Sequence, residues 1–414
     1  MSRSRYAVSA AGLVAALLTI NQFDVPAAGG GPVVDAPLGS LFTPVTPVRV
    51  LDTRSGGGAL GTGEVRALDL STRAPVEATA VVLNVTAVAP SLASFVTVYP
   101  TGADRPTASN LNLVAGRTRP NAVVTLLGTG RSVNLYNDAG SVHLVVDLAG
   151  YYRPVTGSGF TPLSPVRVLD TRTAGGPLGP GAVRTVDLSG RLPSAATAVT
   201  FNLTGLGATA STFVTAWPDA TTRPNVSNLN PVPGETAPNQ VTVTIGANRR
   251  VNLFNNAGST HLVVDLAGYH VAGGGLLFFP RIPLRVLDTR PDLGLNAGAT
   301  GDLDLVTWVP SRAGAAVFNL TGTDPTAATF VTAWPYLADR PVASNLNLVA
   351  GQTAPNLTTV ALADAKLSLY NHVGYVNLVV DLAGYFGTSS PCAGAGAEAG
   401  AGAAGAGVGA CGGG

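Results

Sequence analysis

Residues 144–151 read Leu144-Val145-Val146-Asp147-Leu148-Ala149-Gly150-Tyr151, and the same eight residues return from Leu262 and from Leu378. Within this stretch, Leu or Val at every second position alternates with Val, Asp or Ala. A period of two places alternate side chains on opposite faces of a β-strand. The repetition indicates three copies of one β-rich unit.

Other motifs repeat in the same order. Leu51-Asp52-Thr53-Arg54 returns at Leu169 and at Leu287, in steps of about 118 residues. The motifs Phe95–Pro100 and Ser109–Asn112 also recur twice. The repeats define three units, which are residues 40–152 (unit 1), 158–270 (unit 2) and 277–386 (unit 3). This period is the size of a domain rather than of a solenoid repeat, so each unit is expected to bury its own core.

Each unit contains about eight short runs rich in Val and Thr, separated by Gly, Asn and Asp turn signals. Many short strands at even spacing predict a sandwich or a barrel. The sequence therefore predicts an all-β fold of three tandem β-sandwich-like repeats. A β-trefoil or prism-like assembly is the alternative, because three copies can close around a pseudo-threefold axis. The sequence does not decide between a string of units and a closed ring.

The two ends of the sequence differ from the repeats. Residues 1–36 are typical of a signal peptide and linker, with Arg3 and Arg5 before an apolar run over 7–20. That run is shorter than the roughly 20 residues that a membrane-spanning helix needs, so it predicts export rather than an anchor. Residues 387–414 form an Ala/Gly-rich tail, almost entirely Ala and Gly after Cys392, and are expected to be disordered.

Both cysteines of the chain, Cys392 and Cys411, lie in this Ala/Gly-rich tail. In an oxidising extracellular setting they can pair in a disulfide or cross-link to a partner. No nucleophile–base arrangement surrounds either thiol, so we expect no cysteine catalysis.

Charge is scarce and balanced. Of the 414 residues, 11% are charged, and 24 Lys and Arg oppose 23 Asp and Glu. This balance gives no electrostatic footprint for nucleic acid or for an anionic membrane. The hydrophobic content of 46% argues against a mostly disordered chain. We expect a folded protein that is secreted or held at the cell surface, with no nucleic-acid partner and no membrane contact beyond export.

Aspartate and arginine recur at equivalent positions in all three units. A bidentate Arg–carboxylate pair fixes geometry as well as charge, so the pattern predicts structural ion pairs. The candidates are Asp52 with Arg54, Asp170 with Arg172, and Asp288 with Arg290, together with Asp147, Asp265 and Asp381. Hard cations need several closely spaced oxygens. No such Asp pattern occurs, and we expect no metal site.

One aromatic residue per unit precedes a proline at a strand end, and an arginine follows six residues later. A flat ring at this position can stack on a sugar or cap the core. The candidate ligand-binding residues are Tyr99, Trp217 and Trp334, with Arg105, Arg223 and Arg340. Asparagine also recurs at several positions, where it either makes turns or pairs with sugar hydroxyls.

Few residues that could form a repeated active site recur in all three units. No Glu, His, Cys or Lys recurs in all three units, and a general acid or base is then left to Asp alone. No Ser–His–Asp or metal-ligand spacing forms around the isolated His270 and His372. The sequence predicts no enzyme and no cofactor, with an Asp-based hydrolase as the weakest alternative.

The series V-R-V-L-D-T-R, F-V-T-x-(Y/W)-P, S-N-L-N and H-L-V-V-D-x-x-G-Y resembles a repeat module of secreted and cell-surface proteins from high-GC Gram-positive bacteria. In those proteins the module often accompanies cell-wall hydrolases, peptidases or other extracellular domains. The resemblance covers residues 40–386, and unit 3 departs from it at Asn377 and Ser368. It implies location and modularity, and it assigns no catalytic residue.

These observations predict an exported, non-enzymatic extracellular repeat protein. The favoured function is an envelope-associated binding or adhesion module, with carbohydrate such as cell-wall glycan as the ligand. A purely structural spacer or coat protein is the alternative. Exposed rings at the recurring aromatic position would favour binding, and buried rings would favour the spacer. The oligomeric state is not predicted.

Overall fold

The computed structural model describes residues 20–22, 39–246 and 248–388. These residues form β-strands with one short 3-10 turn, Thr129–Arg131, so the all-β prediction is confirmed. Within these ranges no helix is long and apolar enough to cross a membrane. Most of the predicted signal segment lies outside the described residues, as do Cys392 and Cys411.

A short strand precedes unit 1, and eight strands build that unit. They are β1 (Ile20–Gln22), then β2 (Leu41–Asp52), β3 (Val65–Asp69), β4 (Ala80–Val88), β5 (Ser94–Pro100), β6 (Leu111–Leu113), β7 (Arg119–Leu126), β8 (Ser132–Asn137) and β9 (His143–Arg153).

Units 2 and 3 repeat this order, and unit 2 has an isolated bridge at Leu229 in place of the short sixth strand. Unit 2 contains β10 (Ser158–Asp170), β11 (Val183–Asp187), β12 (Ala196–Leu206), β13 (Val214–Pro218), β14 (Ala237–Thr244), β15 (Arg250–Asn255) and β16 (His261–Ala272). Unit 3 contains β17 (Leu277–Asp288), β18 (Thr300–Asp304), β19 (Ala315–Thr323), β20 (Thr329–Pro335), β21 (Leu346–Leu348), β22 (Ala354–Ala361), β23 (Lys366–Asn371) and β24 (Asn377–Gly387).

Every unit consists of two antiparallel sheets. The inner sheet of unit 1 has the order β2-β9-β4-β7, and the outer sheet has the order β3-β8-β5-β6. Units 2 and 3 have the same arrangement, and β1 pairs in parallel with β18 at one edge of the third outer sheet. Alternate side chains of the two sheets, such as Val81, Leu83, Val96 and Val98, meet in a core of their own. The predicted sandwich is therefore confirmed.

The inner sheets are buried on both faces. Their second faces turn toward one another around a pseudo-threefold axis and form an axial core shared by all units. Six rings lie in that core. They make three equivalent contacts between units, with centroid distances of 4.4 Å for Tyr152 and Phe278, 4.4 Å for Phe42 and His270, and 4.3 Å for Phe160 and Phe386. The chain is thus a closed ring of three units.

The glycine of the repeated strand motif is explained by this core. A Cβ on Gly150 would overlap the ring of Phe42, and Gly268 and Gly384 have the same relation to Phe160 and Phe278. The missing side chain lets the phenylalanine ring cross the neighbouring strand toward the axis.

Asparagines fasten each unit to the next. Asn84 Nδ2 donates to the Ser227 carbonyl at 2.7 Å, and Asn239 Nδ2 donates to Asn84 Oδ1 at 2.8 Å. Equivalent bonds join units 2 and 3, and the ring closes where Asn319 Nδ2 donates to the Ser109 carbonyl at 2.7 Å. Buried amides need partners, so these bonds fix the register between the units.

Candidate functional site

The recurring aromatic residue before proline is buried. Tyr99, Trp217 and Trp334 each expose 5% of their surface. Trp217 Nε1 donates to the Thr221 carbonyl at 3.1 Å, and Trp334 Nε1 makes the equivalent bond to the Ala338 carbonyl at 2.9 Å. No ring face is left for a sugar, so the interpretation of these rings as a stacking platform is corrected. They lie on the face of the outer sheet that points away from the sandwich core, since Val96 and Val98 on the other face of β5 belong to that core.

A loop explains why the rings are covered. Thr97 Oγ1 donates to the Ala108 carbonyl at 2.8 Å, and Val98 N donates to Asn110 Oδ1 at 2.7 Å. These bonds hold the segment between β5 and β6 against the outer face of β5, over Tyr99. Alternation within a strand places a side chain on a face, but it does not show which loop will cover that face.

The three candidate arginines are exposed and stack on aromatic rings. The Arg105 guanidinium lies 4.0 Å from the Tyr136 ring centroid, and the distances are 3.4 Å for Arg223 over Phe254 and 3.5 Å for Arg340 over Tyr370. Such cation–π contacts leave the guanidinium N–H groups free at the ring edge. Within the described part of the chain none of the three forms an ion pair, so each remains a cation that can contact a ligand.

A second aromatic residue recurs beside each stack. The rings of Phe95, Phe213 and Phe330 are half-buried and lie 6.0, 6.1 and 6.2 Å from the ring under the corresponding arginine. This phenylalanine begins the motif F-V-T-x-(Y/W)-P, and it is more exposed than the aromatic residue that ends the motif before the proline. The sequence signal was present, because phenylalanine is invariant at this position in all three copies.

The recurring aspartates and arginines form one linear chain of ion pairs in each unit. In unit 1, Arg49 Nε donates to Asp147 Oδ1 at 2.8 Å and Arg49 Nη1 donates to Asp52 Oδ2 at 3.2 Å. Arg54 then binds Asp52 in a bidentate manner at 2.8 and 2.6 Å. Arg49 is the central member that the sequence-based list of pairs omitted. A register shift between β2 and β9 places Arg49 opposite Asp147.

The same chain joins the corresponding residues of the other units. It runs Asp265, Arg167, Asp170 and Arg172 in unit 2, and Asp381, Arg285, Asp288 and Arg290 in unit 3.

The pKa values of the two carboxylates in each ion-pair chain are shifted in opposite directions. The bidentate bonds from Arg54 lower the pKa of Asp52 to about 2, and those from Arg172 lower the pKa of Asp170 to about 2. Burial raises the pKa of Asp147, against the opposing effect of Arg49. Each carboxylate has an arginine partner, so the network holds the end of β2 against β9. None of its carboxylates is free to act as a general base.

A threonine of the L-D-T-R motif shows why the recurring histidine can be replaced. Thr53 Oγ1 lies 3.1 Å from His143 Nδ1, and Thr171 has the same relation to His261. In unit 3 the Thr289 hydroxyl donates to Asn377 Oδ1 at 3.4 Å. Because an amide oxygen only accepts, the shared role is that of an acceptor for the threonine, which imidazole and amide both perform.

Open grooves lie where neighbouring units meet. The 1–2 groove has a volume of about 560 Å³ and is lined by Arg54, Thr86 and Arg117 of unit 1 and by Phe213, Asn230 and Asn256 of unit 2. The 2–3 groove consists of two adjoining cavities of about 320 and 340 Å³. Its lining includes the equivalent residues Arg172, Thr204 and Glu235 of unit 2 and Phe330, Asn347 and His372 of unit 3.

The third boundary differs from the other two. Arg285 Nη2 reaches from unit 3 to unit 1 and donates to the Thr107 carbonyl at 3.2 Å. Among the described residues its equivalents Arg49 and Arg167 make no such contact across a boundary. The sequence alone did not reveal the grooves, because each groove combines residues of two different units.

The grooves carry polar and aromatic groups without a set of metal ligands. The described ranges contain no group of three or more His, Cys, Asp or Glu placed to hold a metal ion. The lining combines guanidinium groups, amides, hydroxyls and one half-buried phenylalanine ring per groove. The amides, hydroxyls and guanidinium groups offer hydrogen-bond donors and acceptors, and the phenylalanine ring offers an apolar contact.

No protein-family model matches the chain, and no curated protein matches it. Among solved structures it is similar to a protein of the triple jelly-roll fold and turret assembly in an archaeal virus. The identity is 9% over 85% of this chain and 91% of that chain, with a TM-score of 0.20. A protein from the atomic structure of Sulfolobus Turreted Icosahedral Virus is similar at 10% identity, over 84% and 91% of the two chains, also with a TM-score of 0.20. At these TM-scores the likenesses carry no argument about function.

Proposed function

We propose that the protein is an exported, non-enzymatic extracellular module that binds carbohydrate in the grooves between its units. The observation that carries the proposal is the recurrence of one groove at two boundaries, with arginine, threonine, phenylalanine and asparagine at equivalent positions. The repeat resemblance supports the extracellular location. Two equivalent grooves on one chain give avidity toward a polymer that reaches both.

The proposal that the protein is not an enzyme rests on the aspartates. A hydrolase would need a carboxylate free to accept or donate a proton. Two of the three aspartates that recur in each unit are instead hydrogen-bonded to arginine. The third, which is Asp69, Asp187 or Asp304, accepts a hydrogen bond from the backbone N–H two residues further on. This arrangement favours binding or structural roles over catalysis.

A purely structural spacer or coat component is the second candidate. Burial of Tyr99, Trp217 and Trp334 favours it, because buried rings were the expectation for a protein with no ligand. Under this alternative the grooves are only the space left between packed sandwiches.

Retention on insoluble polysaccharides and on purified cell-wall sacculi separates the two candidates. The purified chain is expected to co-sediment with at least one matrix. Phe213→Ala combined with Phe330→Ala should lower retention about tenfold or more, because each groove loses one aromatic contact. Val183→Ala, at an exposed position of β11 away from the grooves, is the control and should bind normally. Absence of retention on every matrix would overturn the proposal and favour the spacer.

A further inference from the structure

The 1–2 groove differs in charge from its counterpart at the next boundary. Its arginines Arg49 and Arg54 are neutralised by Asp52 and Asp147 in the ion-pair chain. Arg117 is an additional cation on the same lining. The equivalent position is Glu235 in unit 2 and Gln352 in unit 3. Equivalent sites that differ by charge at one position are expected to select different ligands.

Arg117 is only weakly engaged within the protein. Its side chain is 48% exposed, and its Nη1 lies 3.6 Å from Glu235 Oε1. Glu235 is held by a closer partner, since Arg119 Nη2 donates to Glu235 Oε2 at 2.5 Å. Two arginines therefore share one carboxylate, and this corner of the groove keeps one uncompensated positive charge.

Arg54 supplies a second donor toward the groove. It uses Nε and Nη2 on Asp52, which leaves Nη1 without a partner among the described residues. Its side chain is 49% exposed. A carboxylate that enters the groove can thus receive hydrogen bonds from two guanidinium groups, which are stronger and more directional than bonds between neutral groups.

The remaining lining suits a sugar rather than a small inorganic anion. Phe213 offers a half-buried ring, and Ser227 occupies Asn230 Oδ1 at 3.5 Å while the Asn230 amide NH2 has no protein partner in the described part of the chain. Asn256 adds a second amide on the same wall. A volume of about 560 Å³ falls in the range of small-molecule sites.

We propose that the 1–2 groove is a site for an acidic carbohydrate, a glycan whose sugars carry carboxylate groups, with Arg117 and Arg54 as the carboxylate-binding residues. The proposal rests on the carbohydrate-binding function above and names its ligand class. The 2–3 groove, with Glu235 at the equivalent position, takes no part in recognising the acid group.

The test compares one polymer with and without its charge. Affinity electrophoresis of the purified chain in gels containing polygalacturonate, and in gels containing its fully methyl-esterified neutral form, measures both affinities. The repeats supply the variants: Arg117→Gln introduces the residue of unit 3 and Arg117→Glu that of unit 2, and both leave the Arg119–Glu235 bond in place. Arg312→Gln removes one exposed arginine that does not line the groove, and it is the matched control for net charge.

Binding of the acidic polymer is expected to exceed binding of the neutral form. Arg117→Gln should weaken it about tenfold, the loss of one charge-assisted contact, Arg117→Glu should weaken it further, and Arg312→Gln should leave it unchanged. Equal binding of both polymers would overturn the ligand class and leave the carbohydrate function standing. Equal losses from Arg117→Gln and Arg312→Gln would show non-specific attraction and also overturn it. Absence of binding to either polymer, together with no retention on sacculi, would overturn both proposals.

Discussion

The three sandwich cores and the axial core differ in how many units their residues contact. In the sandwich cores, the repeated Leu, Val and Leu of the strand motif are buried at the same positions in every unit. In the axial core, one recurring position is occupied by a different residue in each unit. It is Tyr152 in unit 1, His270 in unit 2 and Phe386 in unit 3. A position in a sandwich core contacts only its own unit, whereas the rings of Tyr152, His270 and Phe386 lie 6.3 Å from one another across the three units. The difference is one of contacts and not of residue identity. Phe42, Phe160 and Phe278 are identical at the axis, whereas the equivalent residues Leu83, Phe201 and Phe318 differ in the sandwich cores.

Removing one ring from each core gives the largest expected effect. Phe201→Ala in the sandwich core of unit 2 and Phe160→Ala in the axial core should each lower the free energy of unfolding by about 3–5 kcal/mol, since both rings are almost fully buried. Phe160 also stacks on Phe386 of unit 3. Its loss should therefore split urea unfolding into separate transitions, while Phe201→Ala should shift the midpoint.

Calorimetry and urea titration followed by near-ultraviolet circular dichroism measure both properties. A single cooperative transition for Phe160→Ala, with the same shape as that of the unchanged chain, would contradict the idea that the axial core couples the units.

His270 provides a test that depends on pH. It is buried in the axial core with Nδ1 lacking a partner, and burial lowers its pKa from 6.5 to about 3. The folded state therefore binds fewer protons than the unfolded state between these values, and stability falls as pH drops below about 6.5. By linkage, the loss is about 3 kcal/mol between pH 7 and pH 4.

His270→Phe, which installs the residue of unit 3, should remove this loss. The difference in urea midpoint between the variant and the unchanged chain should be small at pH 7 and large at pH 4. The aspartates titrate alike in both proteins, so the difference isolates the histidine. An identical pH dependence in the two proteins would show that His270 is not buried in the neutral form.

The asparagine contacts between units carry the smallest of the three effects. Asn202 Nδ2 donates to the Ser344 carbonyl at 2.7 Å and Asn202 Oδ1 accepts from Asn356 Nδ2 at 2.9 Å. Asn202→Ala should cost about 1–3 kcal/mol, because a buried carbonyl and a buried amide lose a partner. The exposed Asn248 is the control, and Asn248→Ala should change the unfolding midpoint little. Equal unfolding midpoints for both variants would show that the asparagine amides do not stabilise the closed ring.

Much of the fold followed from the sequence because the strand period and the repeat are local signals. Turn residues and alternating Val and Thr predict strands without any tertiary information, and about eight strands per unit require a sandwich or barrel. Ring closure did not follow. It depends on Asn84, Asn202 and Asn319, whose recurrence was visible but equally compatible with turns. An asparagine has the same side chain in a turn and at an interface, and only the fold decides which partner it finds.

The candidate site was harder to predict. The recurring Asp and Arg residues were identifiable because charge is rare in this chain. Burial of Trp217 was not, because it is produced by a loop held to the strand through Thr215 and the Val226 carbonyl. The groove residues Arg117 and Phe213 belong to different units, and no spacing rule within one unit brings them together.

The chain enters and leaves every unit at the same end of the ring. Leu41 pairs with Arg153, Ser158 pairs with Phe42, and Leu277 pairs with Gly387, all beside the axial rings. The grooves lie toward the far ends of the same strands, near Thr86 and Gly116. The links between the units therefore all lie at one end of the ring, and the grooves lie toward the opposite end. A partner attached beside residue 39 or residue 388 would therefore leave the groove end of the ring unobstructed.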